Sequence, residues 1–161
     1  SQLEEMHYMN LLTAFRRWLP VQVAEAHCDI PCGIYDPISA KIAAQTVLKM
    51  VMRIQALSGD GAARANSESR YIAVKEEHAE LTKREIDILW HDYFKPEHLE
   101  KYPGLHSQFW NATKLASTNK QSVDRGAAQQ LVEAVDKIAE TFWTTKGVTY
   151  SDPVAEVRFG T

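Results

Sequence analysis

The chain has 161 residues, 45% of them hydrophobic and 24% charged, the balance of one ordinary globular domain. Its formal charge of −3 offers no general attraction to nucleic acid or anionic lipid. No apolar run reaches the roughly 20 residues that a membrane-crossing helix needs. The expected partners therefore include neither nucleic acid nor membrane.

Residues 1–26 differ from the rest of the chain. Leu11 to Leu19 is a short amphipathic piece ended by Pro20, and Val21 to Ala26 leads directly into His27. Ala24-x-Ala26 has the small residues of a processing site, and Arg16-Arg17 would suit a charged leader. Gln22 and Glu25 interrupt any apolar core, so composition alone favours a surface helix with a link over a secretory signal.

His27-Cys28-Asp29-Ile30-Pro31-Cys32-Gly33-Ile34-Tyr35-Asp36-Pro37 then gathers both cysteines of the chain in a Pro/Gly-rich hook. Two thiols cannot make a disulfide framework, so the hook reads as a redox pair or as part of a metal site.

From Asp36 onward the pattern is helical. Asp36-Pro37 is a start signal, and a helix is predicted from about Pro37 to Leu57 with Ile38, Ile42, Val47, Val51 and Ile54. Ser58 to Gly61 stops it. A second helix is predicted from about Ser67 to Trp90, with Val74, Leu81 and Ile88 seven apart on one stripe. Asp92 to Pro96 breaks the pattern. A third helix is predicted from about Pro103 to Ser117, with Leu105, Phe109 and Leu115. Ser122 is expected to cap a fourth that carries Leu131, Val135, Ile138 and Phe142 and ends near Gly147. Residues 147–161 form a polar tail, expected to be loosely held. The fold expected is all-α, an antiparallel up-and-down four-helix bundle with an N-terminal metal-binding hook.

The chemistry of the hook depends on its two thiolates and one imidazole. A structural zinc site would want a second ligand pair, and a thioredoxin-like pair would want C-x-x-C in a βαβ setting. If the chain were cut between Ala26 and His27, a free α-amine would stand beside the Cys28 amide. Amine, amide and two thiolates could then surround one ion in a plane, an arrangement suited to Ni(II). On spacing alone, a pair of free cysteines near a turn remains the simpler reading.

The longer string decides more. His-Cys-Asp-x-Pro-Cys-Gly-x-Tyr-Asp-Pro, followed by helices, closely resembles the nickel superoxide dismutase family. Leu89-Trp90-His91-Asp92-Tyr93-Phe94-Lys95-Pro96 matches a second signature of that family. Tyr102-Pro103-x-Leu105-His106 and Phe142-Trp143-x-Thr145-Lys146 extend the likeness, which covers roughly 27–146.

The resemblance implies three segments: a leader over 1–26, a hook-and-bundle domain over 27–146, and a tail over 147–161. A processing peptidase would cut between Ala26 and His27. One nickel ion per subunit would be held by His27 (amine and axial imidazole), Cys28 (amide and thiolate) and Cys32 (thiolate), with the Ile30–Pro31 bond cis. The implied reaction turns superoxide into dioxygen and hydrogen peroxide through Ni(II)/Ni(III) cycling, in a homohexamer. Tyr35 stands where the family has its gatekeeping tyrosine, and Asp29 where a carboxylate steadies the hook through hydrogen bonds; a surface turn carboxylate is the alternative for Asp29. Tyr93 is placed either to back Tyr35 or simply to pack, and Lys95 to draw the anion, although a solvated lysine is the simpler reading of Lys95. His91, His98 and His106 share no ligand spacing and are expected at the surface.

Two positions depart from the family. Where it often has a Glu in the first helix and an Arg in the second, this chain has Ala43 and His78. His78 is expected to face inward, either supporting the site or bonded to a backbone carbonyl. Free thiols favour the cytoplasm. The competing readings are a non-catalytic metal-binding or thiol redox-sensing bundle, and a purely structural bundle in which the hook is incidental.

Overall fold

The computed structural model describes residues 33–160. The expectations for the leader, for His27 to Cys32 and for the Ile30–Pro31 bond fall outside those residues. The described residues contain helices α1 (Ile38–Gln55), α2 (Gly61–Ile88), α3 (Pro96–Lys101), α4 (Leu105–Gln121), α5 (Arg125–Thr145) and α6 (Ala155–Phe159). A π-helical turn, Leu89–Tyr93, continues α2. No strand occurs among the described residues, and no helix there is long and apolar enough to cross a membrane.

Four long helices close a ring of contacts: α1 packs on α2, α2 on α4, α4 on α5, and α5 on α1. This is a helical bundle, as expected. Its core obeys one spacing rule. A stripe of buried residues steps alternately by three and four, with Ala43, Leu48, Val132 and Ala139 buried beside it: Ala40, Ala44, Val47 and Val51 in α1; Leu105, Phe109, Ala112 and Ala116 in α4; Ala128, Leu131, Val135, Ile138 and Phe142 in α5. Such a stripe keeps one side of each helix turned to its partners over many turns.

In α2 the stripe lies one residue from where hydropathy put it. Lys75, Ala79, Thr82 and Ile86 are buried, and Leu89 continues them, while Val74, Leu81 and Ile88 are half-buried beside them. Two of the true positions are polar, and each has its bonds. Thr82 donates to the carbonyl of His78 at 2.8 Å. The Lys75 ammonium donates to the carbonyls of Asn119, Lys120 (2.9 Å) and Ser122 (3.0 Å). In α1, likewise, alanines carry much of the contact and Ile42 faces solvent.

The element boundaries also shift. Helix α2 begins at Gly61 instead of Ser67, because its first turns are mostly exposed and carry no apolar period. Arg64 ties that end back, donating to the carbonyl of Leu57 at 2.8 Å. The cap of α5 is Asp124, not Ser122: its carboxylate accepts from the amides of Gly126 (2.7 Å) and Ala127 (3.3 Å). Ser122 instead closes α4.

The tail is not loose. Arg158 makes a two-pronged pair with Asp152 (2.8 and 2.7 Å) and also donates to Gln45 of α1 at 3.2 Å. Lys49 of α1 donates to the Gly160 carbonyl and lies 4.8 Å from the Phe159 ring centroid. Tyr150 donates to Asp136 of α5 at 3.0 Å, on the carboxylate that pairs with Lys41. Burial, then the Asp136 charge, pushes the Tyr150 phenol above the ordinary tyrosine range.

Candidate metal centre

The sequence-predicted ligands His27, Cys28 and Cys32, and the carboxylate of Asp29, lie outside the described residues. Among the described residues no three His, Cys, Asp or Glu side chains form a metal-binding group. What can be described is the root of the hook. Gly33 comes directly after Cys32 with φ 73°, in the left-handed region that suits glycine. Ile34 is 84% exposed, and Tyr35 turns back to a half-buried position. The Asp36 carboxylate then accepts from the amide of Ile38 at 2.8 Å, and Pro37 is buried. The start signal read in the sequence thus fastens the hook's exit to α1.

Tyr35 meets Tyr93 with ring centroids 5.6 Å apart at 57°. Tyr93 owes its place to the π-helical turn, where the amide of Phe94 reaches five residues back to the carbonyl of Leu89 at 3.0 Å. A π turn of this kind is often found at functional sites. Lys95-Pro96 then ends it by taking an extended conformation at Lys95.

The Tyr93 ring is held from several sides. Phe142 lies 4.5 Å away, and His98 stacks on it at 5.6 Å and 11°. The Lys146 ammonium sits 5.1 Å from its centroid. Its phenol oxygen is 2.5 Å from Thr145 Oγ1.

In front of the two tyrosines lies a cleft of about 340 Å³, bordered by Gly33, Tyr35, Tyr93 and His98, with Lys95 and Lys146 opposed by Asp92 and Glu97. The acidic and basic side chains cancel formally, so the cleft is no general anion funnel; only a local field from Lys95 or Lys146 could favour an anion.

His98 therefore belongs to this site, not to the open surface as expected. Its Nδ1 accepts from the amide of Lys95 at 3.0 Å, which sets the ring against Tyr93. His91 and His106 are exposed, the latter 5.7 Å from Trp90. Ala43 is fully buried in α1. His78 is half-buried and its Nδ1 donates to the Val74 carbonyl at 2.9 Å, the bonding of a packed histidine. Thr145, Lys146 and His98 are the residues that sequence reading did not assign to the site. The string Phe142-Trp143-x-Thr145-Lys146 was the one signal for the first two.

Comparison with known proteins gives the arrangement its context. The family of nickel-containing superoxide dismutases matches residues 22–146, from before the hook to the end of the cleft wall. A superoxide dismutase (Ni) of Streptomyces seoulensis is 40% identical over 131 residues, 81% of this chain and 96% of that protein. One from Streptomyces coelicolor matches at the same 40% over 131 residues. A crystal structure of Ni-containing superoxide dismutase, with ligation corresponding to the oxidised state, superposes with a TM-score of 0.69 at 38% identity, covering 76% of this chain and 100% of the other. With hook, bundle and cleft wall all inside the matched region, the chain belongs to the nickel-containing superoxide dismutase family.

Proposed function

We propose that this protein matures by loss of residues 1–26 to a peptidase cutting between Ala26 and His27, and then disproportionates superoxide at its hook: 2 O₂⁻ + 2 H⁺ → O₂ + H₂O₂. The reading rests most on one observation: the matched region includes the hook, and Tyr35, three residues beyond Cys32, stands against Tyr93 in the wall of a cleft.

The donor set fits nickel. His27 would supply its α-amine and imidazole, Cys28 its amide and thiolate, and Cys32 its thiolate. Thiolates are soft ligands, and two of them together with nitrogen donors would suit a nickel ion. When bound, nickel supplies the one-electron chemistry, alternating between Ni(II) and Ni(III). The chain supplies the rest. Tyr35 screens the approach to the hook and limits what reaches it. Asp29 would steady the hook with its carboxylate. The Asp36 bond to Ile38 and the buried Pro37 anchor the hook's exit to the bundle. Lys95 lends local positive charge to the cleft.

The domain 27–146 is the catalytic unit in this reading, assembled as a homohexamer with one nickel per subunit. Ligand thiols need a reducing compartment, and we place the protein in the cytoplasm.

The test compares the intact chain with the chain beginning at His27, each supplied with nickel. The expected result is nickel binding and superoxide consumption in the second only. Full activity in a verified uncut chain would overturn the processing step, and a processed chain that holds nickel without consuming superoxide would overturn the activity.

A further inference from the structure

The direction of the hydrogen bond behind the cleft can be read from its neighbours. Thr145 Oγ1 lies 2.6 Å from the carbonyl oxygen of Phe142 and 2.5 Å from the Tyr93 hydroxyl. A carbonyl only accepts, so the single hydroxyl proton of Thr145 is committed to Phe142. The proton between Thr145 and Tyr93 must then be the phenol's, and Tyr93 is the donor.

Both partners are held in place by their surroundings. Thr145 sits in the last turn of α5, and the chain beyond is locked by bonds from Gly147 to Thr144 (3.0 Å) and from Val148 to Trp143 (2.9 Å). The Tyr93 ring is held between Phe142, the stacked His98 and the Lys146 ammonium, and meets Tyr35 on its cleft side. Its hydroxyl proton is thus drawn toward α5, and its oxygen keeps acceptor capacity only.

Resting on the superoxide dismutase reading above, we propose that Thr145 is a positioning residue for that reaction. By accepting the hydrogen bond of the Tyr93 phenol, it leaves the Tyr93 oxygen a fixed acceptor at the back of the cleft, beside the Tyr35 ring. Tyr93 is then not the group that gives a proton to reduced dioxygen; the proton comes from another donor that reaches the cleft. Thr145 acts through Tyr93 and needs no contact with substrate or metal.

The experiment compares the processed protein as wild type, Thr145→Val, Thr145→Ser and Tyr93→Phe. The first readout is the tyrosine ring doublet in ultraviolet resonance Raman spectra, whose intensity ratio distinguishes a donating from an accepting phenol. Thr145→Val should remove one donor-type tyrosine signal, the same one that Tyr93→Phe removes, and Thr145→Ser should retain it. The second readout is turnover at measured nickel content. Thr145→Val should lower kcat about fivefold with KM unchanged, the effect of one lost hydrogen bond, and Thr145→Ser should restore it. The proposal is overturned if Tyr93→Phe removes no donor-type signal, if Thr145→Val keeps wild-type kcat, or if Thr145→Ser is as impaired as Thr145→Val. A wild-type protein without nickel or turnover would instead refute the dismutase reading, and the Raman comparison would still decide the bond.

Discussion

Lys75 and Ser122 are joined across the bundle by an ammonium–carbonyl bond of 3.0 Å, the outermost of three that Lys75 gives to the end of α4. A helix leaves its last carbonyls without partners and carries partial negative charge there. A cation from the neighbouring helix answers both needs. Lys75 is therefore buried at a core position without being an unpaired charge.

Replacing it tests that account. Lys75→Met keeps the volume and the apolar stem but leaves the carbonyls of Asn119, Lys120 and Ser122 without their donor. The variant should lose about 1–3 kcal/mol of stability, measured as a lower denaturant midpoint with an unchanged slope. A neutral or stabilised variant would mean that the stem's packing, and not the ammonium, is what counts.

The Asp124 cap gives a smaller effect. Asp124→Ala removes the acceptor for the Gly126 and Ala127 amides and should cost about 1 kcal/mol. Asp124→Asn should recover most of it, because the side-chain oxygen remains. Ser122→Ala should leave the start of α5 unaffected. Thermal unfolding of the three variants distinguishes them.

The tail should come off in acid. Hydrogen bonding to Arg158 holds the Asp152 carboxyl below its ordinary range. A depressed carboxylate contributes its stability above the unfolded value of about 3.9 and loses it as pH falls through the lower folded value. Amide exchange in Ala155–Phe159 should accelerate in that window while the core of α5 stays protected. Arg158→Ala should produce the same local release at neutral pH, so equal protection in that variant would remove the pair from the account.

At the hook, Cys28→Ser and Cys32→Ser should each abolish nickel binding and turnover, since a serine hydroxyl neither ionises readily nor serves as a soft ligand. Unfolding midpoints should stay near wild type, because the core lies in the four long helices. Adding one alanine before His27 in the processed chain should also remove activity, by moving the α-amine from its place. Retained turnover in any of the three would remove that donor from the ligand set.

What the sequence reveals here depends on how local the signal is. The hook and the Leu89 to Pro96 string are read directly, and they locate the family and the break after α2. The apolar period finds α5 because its buried positions are large and hydrophobic. It misplaces the stripe of α2 because Lys75 and Thr82 occupy that stripe through bonds to carbonyls, which hydropathy does not register. It overlooks much of α1, where alanines form the contact. The tail reads as loose because its hold is polar and reaches Gln45, Lys49 and Asp136, which lie in other helices. Thr145 is hidden for the same reason: its partner Tyr93 lies 52 residues earlier.

The π-helical turn between Leu89 and Tyr93 carries one consequence for how this protein can change. The turn holds one residue more than the α-helical ladder, since the Phe94 amide reaches Leu89 where an α-helix would reach Trp90. Deleting one residue there lets the chain close as ordinary helix and keeps Pro96 and the helices beyond it in register, while the side chains inside the turn are re-aimed. The contact of Tyr93 with Tyr35 and Thr145 is thus a matter of counting as well as chemistry. A single-codon deletion there should leave the bundle folded and change the wall alone.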